Sequence, residues 1–298
     1  MAESVEQTQV SLSDQHLGLA QNCDETDLDT VDVRPDIVVS EVDVGQPCLA
    51  CGEKCPGFAH HDWRNVCVNC KCVRELHDLY NDNLVDVRDR LGWPRDDGQG
   101  GVARDPSLTE GYTWVPGNLS SQKIHEYMEQ LPNHKVPRVD TPGERYRDIQ
   151  LIRQLPKQDL SDLYCRFLED ETERKEFTIF RELRDQVAMG IGTARQTAEN
   201  TSCYSCKGVL ERGDLVVAAD KLGREWAWHP ACFTCATCEE LLVDLVYCQH
   251  GRQLYCQRHY AELIRPRCPS CDEVSGAAWS GCNCCSFFES MAAYVKVC

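Results

Sequence analysis

Eight residues able to bind zinc stand at fixed intervals between Cys203 and His259, and no other feature restricts the fold as tightly. The chain reads CYSC, then 22 residues, then HPACFTCATC, then 17 residues, then CQRH. Cysteines and histidines two residues apart present their donor atoms from one tight turn, and a structural Zn²⁺ takes four such donors at tetrahedral corners. In chain order, Cys203, Cys206, His229 and Cys232 form one set, and Cys235, Cys238, Cys256 and His259 form the next. Only Phe233 and Thr234 separate the two sets, so the ions share a wall and the fingers stack. With every position filled by protein there is no open site for water, so the metal scaffolds rather than catalyses. Cys248 and His250 fall outside the spacing and are read as non-ligands. The intervening DLVVAADKLGREWAWH and LLVDLVYCQHGRQLYC carry short apolar runs broken by Gly, the pattern of small hairpins, and QRHYAELI reads as a closing helix.

The chain of 298 residues contains 21 cysteines. Its first residues show no secretory pattern, and no run of about 18 apolar residues suggests a spanning helix. Cysteines in a reducing compartment are better read as metal ligands than as disulfides. A second cluster supports this: CLACGEKCPGFAHHDWRNVCVNCKCVRELH holds Cys48, Cys51, Cys55, Cys67, Cys70, Cys72 and His77, with His60 and His61 between them. One of those two histidines brings the donors to eight, enough for two ions. The two C-x-x-C turns, Cys48/Cys51 and Cys67/Cys70, are expected to pair on one ion. Cys55, Cys72 and His77 then join a histidine, His61, on the other. Four zinc ions per chain are expected in total.

The formal net charge is −17, and no segment forms a basic stripe, which disfavours nucleic acid as a partner. Residues 1–46 hold eleven acidic side chains against the single base Arg34 and no aromatic residue, and are read as a disordered acidic tail. The cysteine-rich module spans 47–78. A linker over 79–111 includes the Gly-, Pro- and Asp-rich WPRDDGQGGVARDPSLTEG. Helical signals follow over 112–190. Ile124, Tyr127, Met128 and Leu131 recur at steps of three and four until Pro132. Thr141-Pro142-Gly143-Glu144 has the form of a capping box with Pro in the first turn, and Tyr146, Ile149, Ile152 and Leu155 line the helix it opens. A third helix begins near Asp170, with Phe177, Phe180, Leu183 and Val187 as its apolar stripe. The three are expected to form a small bundle. Nothing in this block supplies a nucleophile, a base and an orienting group, and Cys165 is read as incidental. Residues 191–202 are read as a linker to the finger module at 203–262.

The ligand order separates the finger module from a RING, which would need a cysteine just before His229 and another at 259; Trp228 and His259 stand there. The sequential C-C-H-C, C-C-C-H order resembles a LIM domain. The sequence from Tyr112 to Asp159 resembles a PET domain in its Tyr112-x-Trp114-x-Pro116 opening, its Tyr127-Met128 helix ending at Leu131-Pro132, and its Pro142-Gly143-Glu144 to Gln154-Leu155-Pro156 helix. Over residues 46–273 the order of modules resembles the PET–LIM family, which includes testin, prickle and the LIM and cysteine-rich domains proteins. The Cys-Pro-Gly-Phe run, the AMGIG phrase and a histidine six residues after Cys55, which favours His61 over His60, are testin-like. The fold class expected is thus a set of small zinc-stabilised modules: a cysteine-rich module, an α-helical PET domain and a LIM double finger of short hairpins and one helix, between disordered ends.

The resemblance implies a non-enzymatic, cytoplasmic adaptor that binds proteins at the actin cytoskeleton, focal adhesions or cell junctions, with PET–LIM contact in cis among its options. A nuclear transcriptional cofactor is the alternative, and the prickle branch implies a planar-polarity scaffold with a lipidated tail. The chain ends VKVC, without a prenylation box, so no lipid anchor is expected. Residues 263–298 begin as a second LIM domain at Cys268 and Cys271 and then diverge. Cys282 and Cys285 stand where they would complete a four-cysteine site, C-x2-C-x10-C-x2-C; the preferred reading is an end truncated after the first LIM domain.

Overall fold

The computed structural model describes residues 43–61, 64–79, 91, 111–165, 168, 171–223, 225–268 and 271–274, all within the unit Val38–Cys298. Most of the acidic tail and of the 79–111 linker, and the chain after 274, lie outside the described residues. Asp43, assigned to the tail from sequence, belongs to the cysteine-rich module instead. It is buried and accepts from the Arg74 guanidinium, while Gly45 N–H donates to Phe58 O at 2.8 Å.

Helix α1 (Ser121–Glu129) buries Ile124, Tyr127 and Met128, the face its periodicity predicts. Tyr112 and Trp114 from the opening motif pack with it, Trp114 edge-on to Tyr127 at 6.4 Å. Helix α2 (Pro142–Gln154) starts as its sequence indicates. Gly143 N–H donates to Thr141 Oγ1 at 3.3 Å, and Glu144 reaches back to accept from Asp140 N–H at 2.7 Å, one residue earlier than the usual capping box. The glycine is required by a close approach: a Cβ at Gly143 would lie 1.7 Å from the Val136 carbonyl oxygen. Since the obstacle is backbone, Gly143→Ala is expected to cost about 3 kcal/mol or more, the upper end for overpacking, seen as a lowered denaturation midpoint of the full chain.

The buried positions of α2 differ from the apolar stripe expected. They are Gly143, Arg147, Asp148, Gln150, Leu151 and Gln154, because the helix is wedged between two zinc modules and meets both through polar groups. On one side Arg145 donates to Glu75 O at 3.0 Å; on the other Arg147 and Gln154 reach the finger module. A short helix α3 (Lys157–Leu160) follows Pro156.

Helix α4 (Glu171–Leu183) buries Phe177 and Phe180, but Leu183 and Val187 are 46% and 62% exposed. The inward row runs 177, 180, 184, 188. Arg184 takes the inward place, donating to Asp159 O at 2.9 Å and to Asp185, and a π-turn over Arg184–Ala188 widens the spacing so that Val187 faces out. The expected three-helix bundle does not form. Each helix packs instead on its own part of the finger module: α1 against Leu215, Val217 and Phe233, α2 against Val243 and Val246, α4 against Ala261.

Strands β1 (Met189–Ile191) and β2 (Thr193–Gln196) leave the last helix and enter that module. β1 pairs antiparallel with β7 (Val246–His250), which pairs with β8 (Gln253–Tyr255); β2 pairs antiparallel with β5 (Leu215–Ala218), which pairs with β6 (Ala227–Trp228). β3 (Thr201–Ser202) and β4 (Val209–Leu210) form a separate hairpin. Much of the 191–202 segment is therefore strand and not linker: the edges of β7, β5 and β4 take up its backbone hydrogen-bonding groups. AMGIG fits this register, since a Cβ at Gly190 would meet the Tyr247 hydroxyl at 2.6 Å. The closing helix α5 (Gln257–Ile264) follows Cys256. No helix among the described residues is long and apolar enough to cross a membrane.

Candidate metal centres

Five C-x-x-C turns share one backbone geometry. After Cys48, Cys67, Cys203, Cys235 and Cys268, the fourth residue on donates its N–H to the cysteine carbonyl at 2.8 to 3.0 Å. That residue has positive φ in each case: Gly52, Lys71, Lys207, Glu239 and Asp272. The turn aims the N–H groups and both sulfurs to one side, so a cation finds two thiolates preassembled.

Two turns serve the finger module. The donors of Cys203, Cys206, His229 and Cys232 lie within 4.8 Å of one another, as do those of Cys235, Cys238, Cys256 and His259. Both histidines face the sulfurs through Nδ1, His229 at 3.4 Å from Cys206 and His259 at 3.2 Å from Cys256. Each donor arrives on a structured element: Cys203 and Cys206 on the β3–β4 turn, His229 after β6, and Cys256 and His259 at the start of α5. The wall between the sets is Phe233, held edge-on between Trp228 (5.6 Å) and Tyr247 (5.9 Å). Edge-to-face rings fill this small core while the metals fix its rim.

The cysteine-rich module groups differently from the sequence expectation. Cys48, Cys51, Cys70 and Cys72 form one set, and Cys55, Cys67, Cys70 and His77 the other, with Cys70 in both. Cys67 sits with Cys55, not with Cys48, and Cys72 with Cys48 and Cys51. Lys71 in left-handed conformation folds the chain so that Cys70 and Cys72 turn towards the first knuckle, while Cys67 lies beside Gly57. His61 is in neither set; it borders a cleft with Arg64, Arg74 and Asp43. All four donor sets consist of cysteine and histidine, the soft and borderline ligands Zn²⁺ takes in closed structural sites, and are consistent with zinc in both modules.

The other cysteines have other roles. Cys248 is fully buried in β7, and burial pushes its thiol up to about 12, so it behaves as an apolar filler. Cys165 points its sulfur at Gln158 O, 3.4 Å away. Cys268 and Cys271 form a complete knuckle docked on the helical domain, where Arg267 makes a two-pronged pair with the buried Asp159 at 2.6 and 3.0 Å. Cys282 and Cys285 lie outside the described residues.

Sequence reasoning missed the polar contact that joins the helices to the fingers. Arg147 grips Asp244 at 2.8 and 2.6 Å, with both side chains nearly inaccessible to water. The Gln154 amide donates to Leu241 O at 2.8 Å and accepts from Val243 N–H at 2.9 Å. Glu240 accepts from Lys135 at 2.6 Å and from the Tyr146 hydroxyl at 2.8 Å. Burial alone would lift the Glu240 carboxyl, but these donors outweigh it and hold it below the usual range. Its contribution is therefore fully present above the usual carboxylate range and is lost as the pH falls below that range through the lowered folded-state titration. The spacing of Arg147, Gln150 and Gln154 along one helix face was the available signal.

The chain carries a PET domain whose last strands complete the two-site cysteine–histidine finger of a LIM domain. The PET domain family matches residues 103–195 and the LIM domain family residues 203–264. Among curated relatives, human prickle planar cell polarity protein 3 is 41% identical over 237 residues, covering 78% of this chain and 38% of its own length. Xenopus laevis prickle planar cell polarity protein 3-A is 40% identical over 237 residues, covering 77% and 44%. Drosophila melanogaster protein prickle is 46% identical over 165 residues, covering 55% and 13%. The match thus spans less than half the length of these relatives. No solved structure matches the chain.

Proposed function

We propose that this chain is a non-enzymatic, zinc-scaffolded adaptor that holds protein partners together at the actin cytoskeleton and cell junctions. The observation that carries this is the completeness of the LIM donor sets: each brings four protein ligands together, which suits a metal that fixes a binding surface. The net charge of −17 fits protein partners better than nucleic acid. Within this role, a planar-polarity scaffold of the prickle type is the favoured form, on the strength of the relatives' names.

The test uses the full tagged chain in polarised epithelial cells, with imaging and proximity labelling. Junctional enrichment with cytoskeletal or polarity proteins among the labelled neighbours is expected, and Cys235→Ser should abolish both. Nuclear accumulation would favour a transcriptional cofactor instead. An unchanged neighbour set on Cys235→Ser would remove the LIM surface from the proposal.

A further inference from the structure

We propose that the cysteine-rich module holds two zinc ions joined through one shared thiolate, that of Cys70. Among the described residues, seven of the module converge, whereas two separate tetrahedral ions need eight donors. The Cys70 sulfur lies within 4.8 Å of every donor in both sets. At a Zn–S distance of about 2.3 Å, two sulfurs on one tetrahedral ion stand roughly 3.8 Å apart. The sulfur separations observed fall around that value, Cys51 to Cys72 at 3.3 Å and Cys55 to Cys67 at 4.0 Å, and Cys70 to His77 Nε2 at 3.5 Å is near the roughly 3.6 Å expected for a sulfur and a nitrogen on one ion.

A thiolate sulfur has lone pairs enough to serve two ions. Counted twice, Cys70 closes both coordination spheres, one with four sulfurs and one with three sulfurs and a nitrogen. His77 is preset for the second. It is fully buried, its Nδ1 lies 3.3 Å from Val73 O, and that contact turns Nε2 towards the sulfurs and fixes its tautomer. The backbone brings the two sets together from both ends, through a bridge between Cys48 and His77 and another between Val66 and Val73. The LIM sets differ in kind, for they have no residue in common.

Cadmium-113 exchanged for zinc in the full chain tests the proposal, since it takes the same thiolate ligands and reports bridging directly. Four resonances are expected, of which two split each other by coupling through the Cys70 sulfur while the LIM pair stays uncoupled. Native mass spectrometry should count four ions in the unaltered chain and also in His61→Ala, with the coupling retained. Cys70→Ser should lose the coupling and at least one ion from the module, leaving the LIM resonances in place. Uncoupled module resonances in the unaltered chain, a single ion in the module, or loss of an ion on His61→Ala would each overturn the shared site. None of these outcomes bears on the adaptor reading, which rests on the LIM domain.

Discussion

A strong chelator is expected to unfold the LIM domain and the cysteine-rich module, and to release the PET strands that pair with the former. The apolar content of these modules is small: the cysteine-rich core comprises Phe58 and the ligand cysteines, and the finger core is layered around Phe233 between the two donor sets. Structural zinc supplies on the order of 10 to 16 kcal/mol of apparent binding free energy in small fingers, whereas a whole domain is stable by only about 5 to 15 kcal/mol. Loss of metal therefore removes about as much free energy as a whole domain's stability, which cores this small do not hold in reserve. Trp228, buried beside His229, reports the event: its fluorescence should shift to that of a solvated indole as zinc leaves, and return when zinc is restored. A native spectrum after stoichiometric removal would contradict this account.

Asp244→Asn is expected to destabilise the chain by about 3 to 5 kcal/mol, because it leaves the Arg147 guanidinium buried without its counter-charge. Asn suits the test: Asp244 has φ of 48°, a left-handed conformation that Asn tolerates, so backbone strain does not confound the result. The corresponding fall in melting temperature is roughly 6 to 20 °C for a unit of this size. A change near zero in a zinc-loaded sample would mean that water reaches the pair. The change acts between PET and LIM rather than within either, so it should leave the zinc count unaltered.

The LIM sites were legible because metal chemistry dictates residue type and interval together, and few folds satisfy eight such positions. Helices α1 and α2 were legible for local reasons, the step of Ile124, Tyr127 and Met128 and the capping signal at Thr141. The pairing of Cys67 and Cys72 was not, since C-x-x-C spacing says which cysteines share a turn and not which turns share an ion. Nor was the burial of Arg147. A charge on a helix is normally a solvated face, and its partner lies 97 residues further on. The inward turn of Arg184 in place of Leu183 had the same origin, a long-range acceptor at Asp159 O that no local pattern encodes.

The strands that run from PET into LIM also determine how the chain can be divided. β5 and β7 are covered on one side by β2 and β1, which precede the first LIM ligand. A fragment begun at Cys203, the natural cut by ligand spacing, would expose two rows of unpaired N–H and C=O groups, ready templates for another chain. Its self-association would reflect the missing strands rather than LIM chemistry. For this chain, the smallest piece with closed sheets begins upstream of Met189.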